Sequence, residues 1–300
     1  MLNPQASSPI QQLAVNFPNN IRIFMKREDL LHPQISGNKF RKLKYNLLEA
    51  QKLKHTTLLS FGGAYSNHIA ALAAAGHEFG FNTIGIIRGE ELVHKLNDNP
   101  TLKLAQQYGM QFKFISRADY RRKTEPSFIQ ALQHQFGNFY LVPEGGTNLL
   151  AVQGCTEILT PQDKQQFDYI CCAVGTGGTI AGIIESSTEQ QTVLGFSALK
   201  GDFLQTEIQQ WTQKTNWQVI PDYHFGGYAK TTPALLAFVQ DFKRQTGIEI
   251  EPIYTGKMLF GIFDLIEKGF FPANSQILAI HTGGLQGNLS ARIDANSAKP

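Results

Sequence analysis

The segment SGNKFRKLKY, at residues 36–45, contains the residue best suited to covalent chemistry in this chain. It opens with a serine and a glycine, which form turns readily, and places Asn38 where a helix N-cap would lie, so we predict a helix ending near Leu53. Lys39 then lies in the first helical turn, where the positive end of the helix dipole makes the neutral, nucleophilic amine easier to reach. On local grounds Lys39 is either an imine-forming lysine or a solvated helix charge.

Three further basic residues, Arg41, Lys42 and Lys44, follow in the same predicted helix. As plain surface charges they would take no part in chemistry. If they lie close to Lys39, their positive charges push its equilibrium further toward the neutral amine. Both interpretations remain open from the residues alone.

A glycine-rich turn, AVGTGGTIAG at residues 173–182, follows an apolar run and opens another predicted helix. Glycines let several backbone amides converge on one point, and the helix terminus adds partial positive charge, so the turn suits a phosphate group. The turn lacks the Lys-Ser/Thr pair of a P-loop and the spacing of a dinucleotide site, which favours a single phosphate over larger ligands. A tight turn without any ligand is the alternative. The candidate ligands are Gly175, Thr176, Gly177, Gly178 and Thr179.

Residues 60–68, SFGGAYSNH, run from the end of a predicted strand into the start of a helix. Ser66 and Asn67 combine short polar side chains with helix-start amides, which suits a carboxylate or a phenolic oxygen. His68 is ambiguous, because a lone helical histidine is more often a structural or surface residue than an acid or base.

Three later loops also follow predicted strands or precede helices. The segment EPIYTGK, at 251–257, puts Tyr254 just before a helix, where its ring could stack on a flat ligand. The segment HTGGLQG, at 281–287, ends the last predicted strand with Thr282, and strand carboxyl ends are where ligands bind in parallel sheets. The segment VPEGGTN, at 142–148, fits a crossover between domains as well as a site.

Short apolar strands alternate with helices along most of the chain, which implies parallel sheets covered on both faces. We predict an α/β protein with a smaller α/β domain over residues 50–149, inserted into a larger one formed by residues 1–49 and 150–300. The predicted strands are 21–25, 57–61, 83–88, 111–115, 139–142, 169–174, 193–196 and 276–281. The predicted helices after the lysine segment are 67–79, 101–108, 127–136, 179–187, 232–245 and 257–268.

Composition restricts the class of protein. The 300 residues, 42% of them hydrophobic and 11% aromatic, suffice for two domains with sizeable cores. A net charge of +3, from 27 basic and 24 acidic residues, is too small and too evenly spread to suggest a nucleic-acid partner. No apolar stretch reaches the roughly 18 residues of a membrane span, and the N-terminus lacks a signal-like pattern, so we expect a cytoplasmic protein without a membrane partner. Three cysteines lack metal-ligand spacing and are expected to be buried thiols. They are Cys155, Cys171 and Cys172.

Taken together, these motifs resemble the fold type II pyridoxal phosphate enzymes of the tryptophan synthase β-subunit superfamily. Within it they are similar to the D-cysteine desulfhydrase and 1-aminocyclopropane-1-carboxylate (ACC) deaminase family. The resemblance extends from KREDL at residue 26 to HTGG at residue 281, through GNK, SNH, GTGGT and YTGK in that order. It implies two three-layer parallel-sheet domains with pyridoxal 5'-phosphate in the cleft between them, no metal, a small amino-acid substrate and a homodimer.

The resemblance also implies how the cofactor is held. Lys39 would carry it as an imine and later take or return the Cα proton. The loop at residues 175–179 would hold the phosphate, and Asn67 would contact the phenolic oxygen. Tyr254 would lie against the pyridine ring and Thr282 would contact the cofactor.

The substrate site implied by the resemblance comprises Ser66, Asn67 and His68. Ser66 would bind the substrate carboxylate and carry protons. The catalytic residues would be Lys39, Ser66 and Tyr254.

Two threonines bear on the reaction. ACC deaminases carry a glutamate at the position of Thr255 and lack a threonine at that of Thr282, whereas desulfhydrases resemble this chain at both. A carboxylate beside the ring nitrogen strengthens the electron sink, and eliminating a thiolate needs less of it than opening a cyclopropane. We therefore expect α,β-elimination of D-cysteine or a similar amino acid to pyruvate, ammonia and sulfide.

Three alternatives remain: ACC deamination, β-replacement, and amino-acid binding without turnover. The glycine-rich centre of AVGTGGTIAG is more similar to the O-acetylserine sulfhydrylases than to desulfhydrases, and the chain is short for the family. Both features leave β-replacement open.

Overall fold

The computed structural model describes residues 7–285 and residue 288. This part of the chain contains ten strands and eleven α-helices. The strands are β1 (Ile10–Gln12), β2 (Arg22–Lys26), β3 (Thr57–Gly62), β4 (Asn82–Arg88), β5 (Gln111–Ile115), β6 (Tyr140–Val142), β7 (Tyr169–Val174), β8 (Thr192–Ser197), β9 (Trp217–Ile220) and β10 (Gln276–Ile280). The helices are α1 (Asn38–Lys52), α2 (Asn67–Phe79), α3 (Pro100–Gln107), α4 (Arg117–Arg121), α5 (Pro126–Phe136), α6 (Leu149–Cys155), α7 (Asp163–Gln166), α8 (Gly178–Ser186), α9 (Leu204–Gln209), α10 (Pro233–Thr246) and α11 (Thr255–Glu267).

The strands form two sheets, and the predicted fold class is confirmed. The larger sheet has the order β1-β2-β10-β7-β8-β9, and the smaller has the order β5-β4-β3-β6. Every pairing is parallel except that of β1 with β2 at the edge of the larger sheet. Within the described part, no helix is both long and apolar enough to cross a membrane.

The side chains of β7 show why its run of six residues is apolar throughout. Successive strand residues point to opposite faces, so Ile170 and Cys172 join one buried apolar cluster while Cys171 and Ala173 join another. The smaller sheet likewise separates two clusters. Each sheet is therefore the middle layer of three, as a parallel sheet covered by helices requires. The three cysteines are buried and free, as expected.

Helix α1 packs against elements that lie on both sides of the proposed domain boundary. Its side chains Phe40, Leu43 and Leu47 belong to an apolar cluster of the smaller sheet. Its opposite side packs on α6, where a Cβ at Gly154 would lie 2.0 Å from the carbonyl oxygen of Arg41. The division into 1–49 with 150–300 and 50–149 therefore stays a proposal.

Candidate active site

A cavity of about 290 Å³ lies where the carboxyl ends of both sheets meet. Its walls include the residues just after β3, β7 and β10, together with the last residue of β4. Lys39, Ser66, Asn67 and His68 line it, and so do Tyr254, Thr282 and the loop of residues 175–179 with the exception of Gly178. The structure thus brings the predicted site residues together, and their roles stay predictions.

The first turn of α1 is fixed by contacts to both the glycine-rich loop and the turn after the last strand. Gly37, not Asn38, is the N-cap, so the predicted cap is wrong. The Asn38 side chain instead donates to the Thr179 hydroxyl at 2.9 Å, and its backbone N–H donates to the Thr282 carbonyl at 3.2 Å. These two contacts fix Asn38, the residue that precedes Lys39.

The pKa of Lys39 is lowered from 10.5 to about 8. Removal of the ammonium from water is the largest cause, and the nearby thiols of Cys155 and Cys172 oppose it. The direction agrees with the sequence prediction, which had ascribed it to the helix dipole and to neighbouring charges. The neutral amine is accessible near physiological pH.

Two of the three neighbouring basic residues are buried ion-pair partners, so the surface-charge interpretation is wrong for them. Arg41 donates to both carboxylate oxygens of Glu28 at 2.8 and 3.0 Å. Lys44 donates to Glu157 at 2.6 Å. Neither lines the cavity.

Lys42 is also buried, but it lines the cavity, and the sequence analysis gave it no site role. Its Nζ donates to the Gly145 carbonyl at 2.5 Å and to the hydroxyls of Thr147 and Thr176 at 2.8 and 3.3 Å. Burial and the charge of Lys39 lower its pKa to about 7. Residues three positions apart on a helix share a face, so the spacing between Lys39 and Lys42 was a usable signal.

The glycine-rich loop connects β7 to α8 through Gly177, the N-cap, whose φ is +78°. The first amides of a helix have no intrahelical acceptor, and here they begin beside the cavity. A Cβ at Gly175 would lie 3.1 Å from Cε1 of Tyr254, so glycine leaves room for that ring. The loop therefore combines amide donors with a nearby cation, Lys42, as a phosphate site requires.

Ser66 is the N-cap of α2, and its hydroxyl accepts from the Ile69 N–H. Asn67 follows it and lies against the turn after β10, since a Cβ at Gly284 would be 2.7 Å from Nδ2 of Asn67. The two side chains thus stand at a helix start that faces the cavity.

His68 is buried, which excludes a surface role. Its Nε2 is 2.8 Å from the Ser60 hydroxyl, while its Nδ1 has no hydrogen-bond partner in the described part. Burial, followed by the charges of Lys39 and Lys42, lowers its pKa well below 6.5. His68 is therefore a neutral imidazole at physiological pH.

Tyr254 has a second aromatic ring beside it that the sequence analysis missed. The ring of Tyr228 lies 6.2 Å from that of Tyr254 in an edge-on arrangement, and Tyr228 also lines the cavity. Tyr228 follows two glycines in a stretch with neither helical nor strand periodicity, so no sequence pattern indicated it.

The two threonines that bear on the reaction differ in position. Thr282 lines the cavity, whereas Thr255 is fully buried and does not line it.

Arg88 and Glu144 are further lining residues without a predicted role. Glu144 accepts from the Tyr120 hydroxyl at 2.6 Å and pairs with Lys123 at 3.3 Å. The guanidinium of Arg88 lies over the Tyr120 ring at 5.6 Å. Arg88 is the last residue of β4, a position that sequence reasoning could have flagged.

The donors around the cavity fit a phosphorylated aldehyde with a flat ring. Lys39 supplies an amine for the aldehyde, and Lys42 with the loop amides suits the phosphate. Tyr254 offers an aromatic face, and Asn67 and Thr282 offer polar groups for ring substituents. No group of three His, Cys, Asp or Glu side chains suited to a metal occurs among the described residues.

Fold and cavity together define a fold type II pyridoxal phosphate enzyme. A family model described as pyridoxal-phosphate dependent enzyme matches residues 5–283. The protein is therefore an enzyme with pyridoxal phosphate as its cofactor.

Comparison with relatives identifies the family within this class of enzymes. The chain is 31% identical to the bifunctional D-cysteine desulfhydrase/1-aminocyclopropane-1-carboxylate deaminase, mitochondrial, of Arabidopsis thaliana, over 90% of this chain and 74% of the relative. It is 30% identical to a putative 1-aminocyclopropane-1-carboxylate deaminase of Thermotoga maritima, over 95% of each. The crystal structure of an ACC deaminase homologue matches with a TM-score of 0.82 and 26% identity, over 99% of this chain and 95% of that one. The chain belongs to the D-cysteine desulfhydrase and ACC deaminase family.

Proposed function

We propose that the protein catalyses the α,β-elimination of D-cysteine, or of a similar small amino acid, to pyruvate, ammonia and sulfide. The observation that carries this proposal is the Thr282 side chain on the cavity wall, together with Thr255 at the position where ACC deaminases carry a glutamate. A hydroxyl beside a ring nitrogen supports a weaker electron sink than a carboxylate does. A thiolate leaving group suits that weaker sink.

The reaction balances without an oxidant or reductant. The C–H bond at Cα and the C–S bond at Cβ break, and one water converts the released enamine to pyruvate and ammonia. When bound, the cofactor supplies an electron sink for the charge that develops at Cα.

The residues of the chain bind the substrate and move its protons. The Ser66 hydroxyl and the amides at the start of α2 hold the carboxylate. The Lys39 amine, with a pKa of about 8, takes the Cα proton. Burial raises the pKa of the Tyr254 hydroxyl well above 10, so it stays protonated and can donate to the leaving sulfur.

Ring-opening deamination of ACC to 2-oxobutyrate and ammonia is the second candidate, favoured by the names of several relatives. This reaction calls for a carboxylate at the ring nitrogen. Glu251 is buried near Gly284, but its oxygens accept hydrogen bonds from the backbone amides at the start of α11. We therefore place this reaction second.

The test is a keto-acid assay with D-cysteine, L-cysteine and ACC in parallel, following the cofactor absorbance of the holoenzyme. We expect pyruvate and sulfide from D-cysteine, and neither product from the Lys39→Ala variant. 2-Oxobutyrate from ACC, without pyruvate from D-cysteine, would reverse the order of the two candidates.

Three further expectations from the sequence are kept as proposals. We propose a homodimer, a cytoplasmic location and a smaller domain at residues 50–149. Light scattering tests the first, localisation of the tagged protein the second, and expression of the isolated segment the third.

A further inference from the structure

Lys257 is a buried cation that the proposed reaction does not use. It lies in the first turn of α11 and is 1% exposed. Its Nζ donates to the carbonyls of Gly227, His224 and Ala198 at 2.8, 2.9 and 3.4 Å. Burial lowers its pKa to about 8, against the charge of Glu251. A buried ammonium is costly unless its donors are used, and here three carbonyls take them.

Two of these carbonyls belong to a loop between β9 and α10, whose internal hydrogen bonds include two turn contacts, from the Gly227 N–H to the His224 carbonyl and from the Lys230 N–H to the Gly227 carbonyl. Phe225 and Ala229 have φ of +52° and +55°, and Gly226 and Gly227 have φ of +94° and +115°. Residues other than glycine rarely adopt such angles, because they strain the backbone. The contacts that hold this strained conformation include those that the Lys257 ammonium makes from outside the loop.

Two of the carbonyls that accept from Lys257, and the helix that carries it, each adjoin a residue of the cavity wall. Gly227 precedes Tyr228, Ala198 precedes Leu199, and Tyr254 is the N-cap of the helix that carries Lys257. All three of these neighbours line the cavity. One ammonium thus joins the three segments that form this wall.

We propose that Lys257 is a positioning residue, whose ammonium holds the loop of residues 224–228 against α11 and so sets the Tyr228 ring beside Tyr254. This inference rests on the cavity being the catalytic site of the proposed function, but not on the identity of the substrate. Lys257 itself does not line the cavity, so it acts through Tyr228.

A purely structural role makes a different prediction. If Lys257 only stabilised the fold, its loss would lower the free energy of unfolding and leave the folded holoenzyme with unchanged kinetic constants. If it positions the loop, the loop loosens selectively and catalysis suffers while the cofactor remains bound.

The first measurement is hydrogen exchange of Lys257→Met. Removing three charge-assisted hydrogen bonds should speed amide exchange in residues 224–230 by about tenfold or more, while β7 and β8 stay protected. Lys268→Met is the matched control, since Lys268 is an exposed lysine at the C-cap of the same helix. Unchanged exchange in the loop, or equal loosening of the whole protein, would overturn the proposal. This readout needs no turnover, so it stands if the proposed function fails.

The second measurement is kinetic, with whichever substrate gives keto acid. Lys257→Ala should keep the absorbance of the lysine-bound cofactor and lose about tenfold or more in kcat/KM, and added methylammonium should restore part of it by filling the vacated site. Lys257→Arg retains a buried cation and should keep more activity than Lys257→Ala. Loss of activity in Lys257→Ala that methylammonium leaves unchanged, together with equal loss in Lys257→Arg, would contradict the positioning role.

Discussion

Lys39 and Lys42 lie one turn apart on α1 and face the same cavity, yet their surroundings differ. Hydrogen bonds to the Gly145 carbonyl and to the hydroxyls of Thr147 and Thr176 fix the ammonium of Lys42. Both lysines have a lowered pKa, about 8 for Lys39 and about 7 for Lys42. We propose covalent attachment of the cofactor for the first, and binding of its phosphate beside the glycine-rich loop for the second.

This division of roles predicts different losses on substitution. Lys39→Ala should lose the covalent linkage and about 10³-fold or more in turnover, because Lys42 is held at the loop and cannot replace it. Lys42→Met should keep the linkage but weaken cofactor affinity by about 10- to 100-fold, since a charged hydrogen bond is lost. Spectroscopic titration of the cofactor-free variants measures both. Lys52→Met is the control, since Lys52 is exposed on the same helix; equal affinities for Lys42→Met and this control would disprove the phosphate role.

The sequence motifs predicted those site residues whose neighbours in the chain form a recognisable turn or helix start. They missed the site residues that have no such neighbours. Lys39, Ser66 and Thr282 stand in segments with recognisable turn or helix-start chemistry. Tyr228 reaches the cavity only through tertiary packing, so nothing local distinguishes it, whereas Glu144 lies in the segment 142–148, which fits a domain crossover equally well. Lys42 was missed for another reason, since a charge within a lysine-rich helix suggests solvent exposure.

The element that carries Lys39, the proposed catalytic lysine, depends on a close backbone contact. Gly37 has φ of +62°, and a Cβ there would lie 2.0 Å from the Thr282 carbonyl oxygen. That carbonyl also accepts from the Asn38 N–H, so the turn after β10 holds the start of α1 in place. Glycine is required here for space as well as for its φ angle.

Two glycine substitutions separate these requirements. Gly37→Ala should displace the first turn of α1, lower the melting temperature and reduce incorporation of the cofactor. Gly80 also has a positive φ, +77°, but nothing lies within 4 Å of a Cβ built there. Gly80→Ala should therefore cost about 1 kcal/mol of stability and leave cofactor binding intact. Denaturation and absorbance titration measure both effects, and similar cofactor affinities in the two variants would refute the spatial argument.

The elements themselves were largely predictable. The predicted strands 111–115 and 169–174 and the helix 67–79 coincide with those observed, and the other predicted elements differ by one or two residues at their ends. The elements missed are β1, β9, α4, α6, α7 and α9, all of three to seven residues. Segments that short hardly complete a period, so only pairing or packing identifies them.

At the scale of the whole molecule, three buried lysines make stability depend on pH. Lys39, Lys42 and Lys257 have pKa values lowered to about 8, 7 and 8 from 10.5. Between these values and 10.5 the unfolded chain binds more protons than the folded one, so stability rises with pH there. The thiols oppose this above about pH 9, because burial raises the pKa of Cys155 from 9.0 to about 11.

The cofactor-free protein should therefore gain stability from pH 7 to 9 and level off above. Lys42→Met should reduce the slope of the unfolding free energy by up to about 1.4 kcal/mol per pH unit between pH 8 and 9. Urea denaturation at three pH values measures this slope, with Lys52→Met as a control that leaves it unchanged. A slope as steep as that of the wild type in Lys42→Met would show that Lys42 stays charged in the fold.

The position of β10 has a consequence for biosynthesis. This strand lies between β2 and β7 in the larger sheet, although β2 is among the first elements translated and β10 is the last strand of the described part. Until the ribosome has made β10, the nascent sheet is divided, and α1 lacks its contact with Thr282. The smaller sheet has no such dependence, because all four of its strands lie between residues 57 and 142. Capture of the cofactor is therefore a late event, which follows translation of β10 and the turn after it.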